Sequence, residues 1–278
     1  MSLVTTAGSI SPDHGKRVAP QNTAEAPHRG LGFALGLAAG AVMAPAFALV
    51  SAARGARTFH PRGVTFQALL QRHPEAPHEL GALVTRLTGP ALVRLSGALW
   101  KQAPRLPDVL GCAIRFRNND QDSVEPEEGD QDLLLATIRR PWTMGFSPLT
   151  TDVQDYLAND YFSVSPFDVG LARAVYFRLT PIQGSATKTG TRNERLLKDV
   201  ELGRANWTLE LSAGPFGPWT PLVVMTLARP AQVDEEALRF SPFRAGRGLS
   251  PRGFVHALRV GAYALSQRAR PHAATTRR

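Results

Sequence analysis

Alternating apolar and polar positions run through the middle of the chain and predict a series of strands. Val109–Arg117 (VLGCAIRFR) alternates as a strand with one buried face should, and Asp132–Ile138 is a second, more uniformly apolar run. Ala174–Thr180, Trp207–Ser212 and Val223–Leu227 predict three more strands. Gly81–Trp100 begins with helical spacing and ends in the strand-like run Ala91–Ser96. Val153–Phe162 predicts a short helix. Phe254–Arg268 predicts a closing helix with Ala257, Leu258, Gly261, Ala262 and Leu265 on one side, stopped by Pro271. Central strands with helices at the ends place the chain in the α+β class, around an antiparallel sheet or barrel. No internal repeat is found.

The pattern changes near the N-terminus. Residues 1–29 are rich in Ser, Thr, Pro, Ala and Gly and read as a disordered tail. Residues 30–53 carry no charge, and Arg29 and Arg54 bracket them. A helix of ~20 apolar residues crosses a bilayer core, so the length suffices. Gly32, Gly36 and Gly40 recur at four-residue spacing, which lets helices approach closely in lipid. Three readings fit this run: a membrane anchor, a signal sequence, or a buried helix feeding the domain. Ala44-Pro45-Ala46 or Ala46-Phe47-Ala48 would serve as a cleavage site. The matching locations are membrane-associated, exported or cytoplasmic. The soluble domain is expected over 54–272, followed by a basic tail at 273–278.

Composition narrows the classes. With 43% hydrophobic and 20% charged residues among 278, the bulk is neither disordered nor polytopic in a membrane. A single cysteine, Cys112, excludes a disulfide framework and a Cys-rich metal site. The net charge is +9. No Asp or Glu follows Glu236, while nine arginines do, from Arg239 to Arg278. They are spread among apolar residues rather than packed in a short basic block, so they suit a buried anionic ligand better than nucleic acid. Asp120–Asp132 holds seven acids in thirteen residues without the spacing of a calcium loop, and reads as a solvated loop between strands. Gly184–Gly190 lacks the Gly-Lys-Ser/Thr order of a phosphate loop, no nucleophile elbow occurs, and the histidines show no HExxH spacing.

Three segments carry a pattern together. The first is Arg57-Thr58-Phe59-His60-Pro61-Arg62-Gly63. The second is Val93-Arg94-Leu95-Ser96, followed by Asp108-Val109-Leu110-Gly111. The third is Phe240-Ser241-Pro242, leading to Arg259-Val260-Gly261-Ala262-Tyr263, with Arg270 seven residues on. In these residues and their order the chain resembles the haem-dependent catalase family over about residues 54–270. The resemblance implies an antiparallel β-barrel of the catalase type with flanking helices at minimal length. It also implies haem (heme b) as cofactor and a peroxide as substrate. Tyr263 would be the axial iron ligand and His60 the distal acid–base group, with Ser96 orienting the histidine. Arg57, Arg94 and Arg270 would hold the propionates.

The residue types suit that chemistry. A phenol titrates near ~10, so it binds ferric iron well only when its phenolate is favoured. Arg259 lies one helical turn before Tyr263, and a permanent guanidinium there favours the phenolate. Tyrosine is the axial ligand of catalases. Guanidinium forks match carboxylates. A neutral imidazole can both accept and return a peroxide proton.

The chain also departs from the family pattern. Ungapped alignment of Asp132-Leu133-Leu134 with the family's Asp-Leu-Val strand puts Thr137 where the distal asparagine stands. A hydroxyl can still donate to peroxide, with a different reach. Ala264-Leu265-Ser266 replaces the family's Pro-Asp-Thr after the tyrosine. The chain is as short as the small catalase-related peroxidases. These departures favour peroxidatic use of hydrogen peroxide or organic hydroperoxides over dismutation. Lipid hydroperoxides suit the case in which residues 30–53 contact membrane. An allene oxide synthase type of hydroperoxide isomerase or dehydratase, and a non-catalytic haem-binding protein, are the alternatives. Whether the chain forms a homo-oligomer stays open.

Overall fold

A computed structural model describes residues 62–98, 106–140, 146–170 and 172–252. Four strands come first: β1 (Arg62–Arg72), β2 (Gly89–Gly97), β3 (Leu110–Phe116) and β4 (Gln131–Ala136). They pair antiparallel in sequence order. β5 (Tyr161–Phe162), β6 (Phe167–Val169), β7 (Ala172–Pro181), β8 (Asn206–Ser212), β9 (Thr220–Pro230) and β10 (Leu249–Pro251) follow. β1 pairs with β9, β9 with β8, and β8 with β7. β5 joins β7 to β4 through the single pair Ala136↔Phe162. The ring β7-β5-β4-β3-β2-β1-β9-β8 therefore closes as an eight-stranded antiparallel barrel, with β6 and β10 added beside β7. Closure removes the exposed strand edges that an open sheet would present.

Side chains alternate across each strand. Phe66, Ala68 and Leu70 of β1, Val93 and Leu95 of β2, Cys112 and Ile114 of β3, and Leu133 and Leu135 of β4 belong to one interior cluster. Trp207, Leu209, Met225 and Phe177 join it from the other half of the barrel, fully buried. Each such large apolar side chain contributes about 1.5–3 kcal/mol on burial. Residues of opposite parity face outward, yet many are buried too. Residues 231–247 and the loop between β3 and β4 lie over them, with Leu92, Leu238 and Phe240 forming a second apolar cluster there.

Among the described residues, three α-helices decorate the barrel: α1 (Gly81–Leu87), the single turn α2 (Ser147–Thr150) and α3 (Arg192–Glu201). The strands expected over 109–117, 132–138, 174–180, 207–212 and 223–227 form within a few residues of those bounds, and the helix-to-strand change within 81–100 falls at Gly89. The helix expected at Val153–Phe162 does not form. A 3-10 turn at Tyr156–Ala158 is followed directly by β5. The Asp155 carboxylate accepts from the Leu157 N–H at 2.8 Å, and Asn159 donates to the Asp152 and Asp155 carbonyls at 2.8 and 2.6 Å. These local bonds take the groups a longer helix would need.

The acidic stretch 120–132 is a loop between strands, but it is not wholly solvated. Asp130 and Asp132 are buried against Arg117 and Arg115. Several described elements were not expected from the pattern: β1, whose first residues end the Arg57–Gly63 motif, the short β6, β10 and α2, and α3, a short polar helix opened by a Thr191–Glu194 capping box. The run at 30–53 and the helix expected at Phe254–Arg268 lie outside the described residues. Among the described residues, no helix is long and apolar enough to cross a membrane.

Candidate functional site

The described parts of the three motif segments, Gly63, Val93–Ser96 and Phe240–Pro242, lie against the outer face of β1–β4. Gly63 pairs with Ser96, and Thr65 with Arg94. Arg94 and Ser96 stand two residues apart on β2, so their side chains share that face, and both are buried. A Cβ on Gly63 would lie 2.7 Å from Arg94 Cζ and 2.6 Å from the Leu95 carbonyl oxygen. The last glycine of the Arg57–Gly63 segment thus leaves the space that the Arg94 guanidinium fills. Ser96 is followed by Gly97, where a Cβ would lie 2.6 Å from the Asp108 carboxylate and against the Arg192 guanidinium from α3. The Asp108 carboxylate itself accepts from the N–H groups of Ala98 and Val109 at 3.2 and 2.7 Å.

The third segment is docked from the side. Ser241 of the Phe240-Ser241-Pro242 turn donates its N–H to Asp132 at 2.7 Å. Arg115 of β3 donates through Nε to the same carboxylate at 2.9 Å and lies over the Phe240 ring at 5.0 Å from its centroid. Arg115 and Asp132 are both fully buried. Burial pushes the Asp132 carboxyl up, while Arg115, Arg244 and the Ser241 N–H pull it down. A buried charge pair of this kind is strongly destabilised when one partner is lost, by about 3–5 kcal/mol.

Sequence reasoning missed Glu235. Its carboxylate takes the Nε–H of Arg94 at 2.8 Å and the hydroxyl of Thr65. Glu235 is 141 positions beyond Arg94 and belongs to the segment laid over the barrel, so no short-range signal marks it. Two C-terminal arginines are likewise tied to the barrel by contacts at its surface. Arg252 pairs with Asp168 at 3.1 Å, and Arg247 donates to Asn118 at 2.8 Å.

Thr137 follows β4 and is buried. Its Oγ1 accepts the Leu110 N–H at 3.0 Å and lies 2.7 Å from the Thr151 hydroxyl. Thr151 in turn donates to the Ser147 carbonyl at 2.8 Å. Each hydroxyl has one proton. With the Thr151 proton on Ser147, the Thr137 proton is the one that bridges the two threonines. The chain therefore ties the end of β4 to α2.

His60, Arg57, Arg259, Tyr263 and Arg270 lie outside the described residues. For a haem, the described residues fit at one edge. Arg94 and Ser96 share a buried face beside the start of β1, two residues after His60. Glu235 already balances the Arg94 charge, and Thr137 directs its proton to Thr151. A propionate at Arg94 would share the guanidinium with Glu235.

No protein-family model matches the chain, and no curated protein matches it in sequence. Solved structures do match in fold. One is a bacterial catalase, at TM-score 0.54 and 16% identity, covering 77% of this chain and 57% of that one. Another is a fungal catalase, at TM-score 0.52 and 15% identity, covering 77% of this chain and 59% of that one. The fold is thus the antiparallel β-barrel of the catalase type. The chain spans somewhat more than half the length of the catalases it matches.

Proposed function

We propose that this chain is a haem-dependent peroxide-processing protein built on the catalase-type barrel, peroxidatic rather than dismutating. One observation carries the reading. Arg94 and Ser96, matched to the family's motif by sequence, stand together on a buried face, and Gly63 of the His60 segment seats the arginine.

When bound, haem supplies the iron at which a peroxide O–O bond is cleaved. Tyr263 would hold the iron as phenolate, and Arg259 one turn earlier would favour that charge state. Arg57, Arg94 and Arg270 would hold the propionates. His60 would take the proton from one peroxide oxygen and deliver it to the other. Ser96 would orient its ring. Thr137 favours the peroxidatic reading. Its hydroxyl is used between Leu110 and Thr151, which leaves no donor equivalent to an asparagine amide at that position.

The test is the absorbance spectrum of the full chain expressed with ample haem, before and after hydrogen peroxide. A strong Soret band that is lost in Tyr263→Phe, with reductant oxidation exceeding oxygen release and loss of turnover in His60→Ala, is the expected result. No haem uptake, or a spectrum unchanged in Tyr263→Phe, overturns it.

A further inference from the structure

A carboxylate of the chain itself already sits against Arg94. One oxygen of Glu235 takes the Arg94 Nε–H at 2.8 Å, and the other takes the Thr65 hydroxyl. Thr65 and Arg94 stand opposite one another in the β1–β2 register, so their side chains share a face, and both are buried. Two neighbouring strands therefore present two donors to one carboxylate. The bond from the guanidinium is charge-assisted, the stronger class of hydrogen bond.

The segment 231–247 delivers Glu235 to this cradle from a fixed base. The Ala231 N–H donates to the Thr65 carbonyl at 2.9 Å. Asp234 then turns the chain. Its carboxylate accepts from the Glu236 and Ala237 N–H groups at 2.8 and 3.2 Å, and its carbonyl accepts from the Leu238 N–H at 2.9 Å. Leu238 and Phe240 cluster with Leu92 of β2 and anchor the far side of the turn. The Glu235 side chain is 37% exposed, so it has water to turn into while these anchors stay seated.

We propose that Glu235 competes with a ligand carboxylate for the Arg94–Thr65 cradle, and so weakens the hold of the protein on a ligand's carboxylate edge. The proposal deepens the haem reading of Arg94 and rests on it. A propionate that shares Arg94 with Glu235 stands beside a like charge, which opposes binding. A propionate that finds Glu235 turned away has the Arg94 Nε–H and the Thr65 hydroxyl to itself. Thr65 thereby becomes a binding residue, and Glu235 sets the affinity.

The test is titration of the haem-free full chain with haem and with haem dimethyl ester, followed at the Soret band, in wild type and Glu235→Gln. Glutamine keeps the size of the side chain and removes its charge. Haem is expected to bind the variant about tenfold more tightly, because apparent affinity scales with the fraction of protein in the competent state. The dimethyl ester has no carboxylate to compete and is expected to bind both proteins equally. Thr65→Val added to Glu235→Gln is expected to take back most of the gain for haem and to leave the ester unchanged. Glu235→Asp keeps the charge on a shorter arm and is expected to give an intermediate haem affinity. Equal or weaker haem binding in Glu235→Gln, or an equal gain for the ester, overturns the competition and leaves the haem reading standing. No Soret band in either protein with either ligand overturns the haem reading and the competition with it.

Discussion

The Arg94 guanidinium rests on Gly63 so closely that a single added carbon would meet it: a Cβ there would sit 2.7 Å from Arg94 Cζ. Gly63 pairs with Ser96 across β1 and β2, so the same glycine borders both motif residues of β2. Gly63→Ala is therefore expected to force the arginine or β1 aside. Overpacking of a well-filled site costs about 1–3 kcal/mol. Urea unfolding should show a lower midpoint with an unchanged slope; a midpoint equal to wild type contradicts this packing.

Glu235 is the counter-charge of a buried arginine. Arg94 is 6% exposed at its side chain and Glu235 37%, so solvent screens the pair in part. Glu235→Gln is expected to destabilise the fold by about 1–2 kcal/mol, below the value for a fully buried pair. A double-mutant cycle with Arg94→Met measures the coupling between them. A coupling near zero removes Glu235 as the partner that holds Arg94.

Asp122 ties the acidic loop to β9. The Arg229 guanidinium beside it holds its carboxyl at about 2 against a usual 3.8, helped by Gln67 and the Gln232 N–H. A carboxyl lowered on folding adds stability that is fully present above the unfolded value. That stability is lost as pH falls from 3.8 through about 2. Wild type is therefore expected to lose more stability than Asp122→Asn across that window. The difference between the two proteins isolates this carboxyl from the others, and parallel curves exclude it.

Thr137 separates two roles that one residue might be given. Thr137→Val removes the acceptor of the Leu110 N–H and the partner of Thr151. Leaving buried polar groups unmet costs about 1–3 kcal/mol. Thr137→Ser restores the hydroxyl and is expected to recover most of that loss. If the hydroxyl serves the fold, peroxide turnover per bound haem changes little in the Val variant. A large fall in turnover with stability intact reverses the assignment.

Much of the barrel was legible in the chain. β3 follows from local alternation, and β2 and β4 from short apolar runs whose two faces are both largely buried. β1 was obscured, since its outward Thr65 and Gln67 are buried beneath the later segment and its pattern does not read as half-exposed. α3 was missed for the opposite reason. It is short and polar, and its start is set by capping rather than by an apolar stripe. The expected helix at 153–162 lost to Asp155 and Asn159, which bond the local backbone instead.

The sequence by itself determined the segments on which the resemblance to catalases rests: the Arg57–Gly63 run, the Val93–Ser96 run with Asp108, and the Phe240–Pro242 turn. Only the tertiary structure decided what these residues do to one another. Pairing of β1 with β2 set Gly63 against Arg94 and Ser96, and the segment laid over that face brought Glu235 to Arg94 and Ser241 to Asp132. The physical reason is range. Alternation is a property of neighbouring residues, whereas charge pairing depends on distances between residues that the chain keeps far apart.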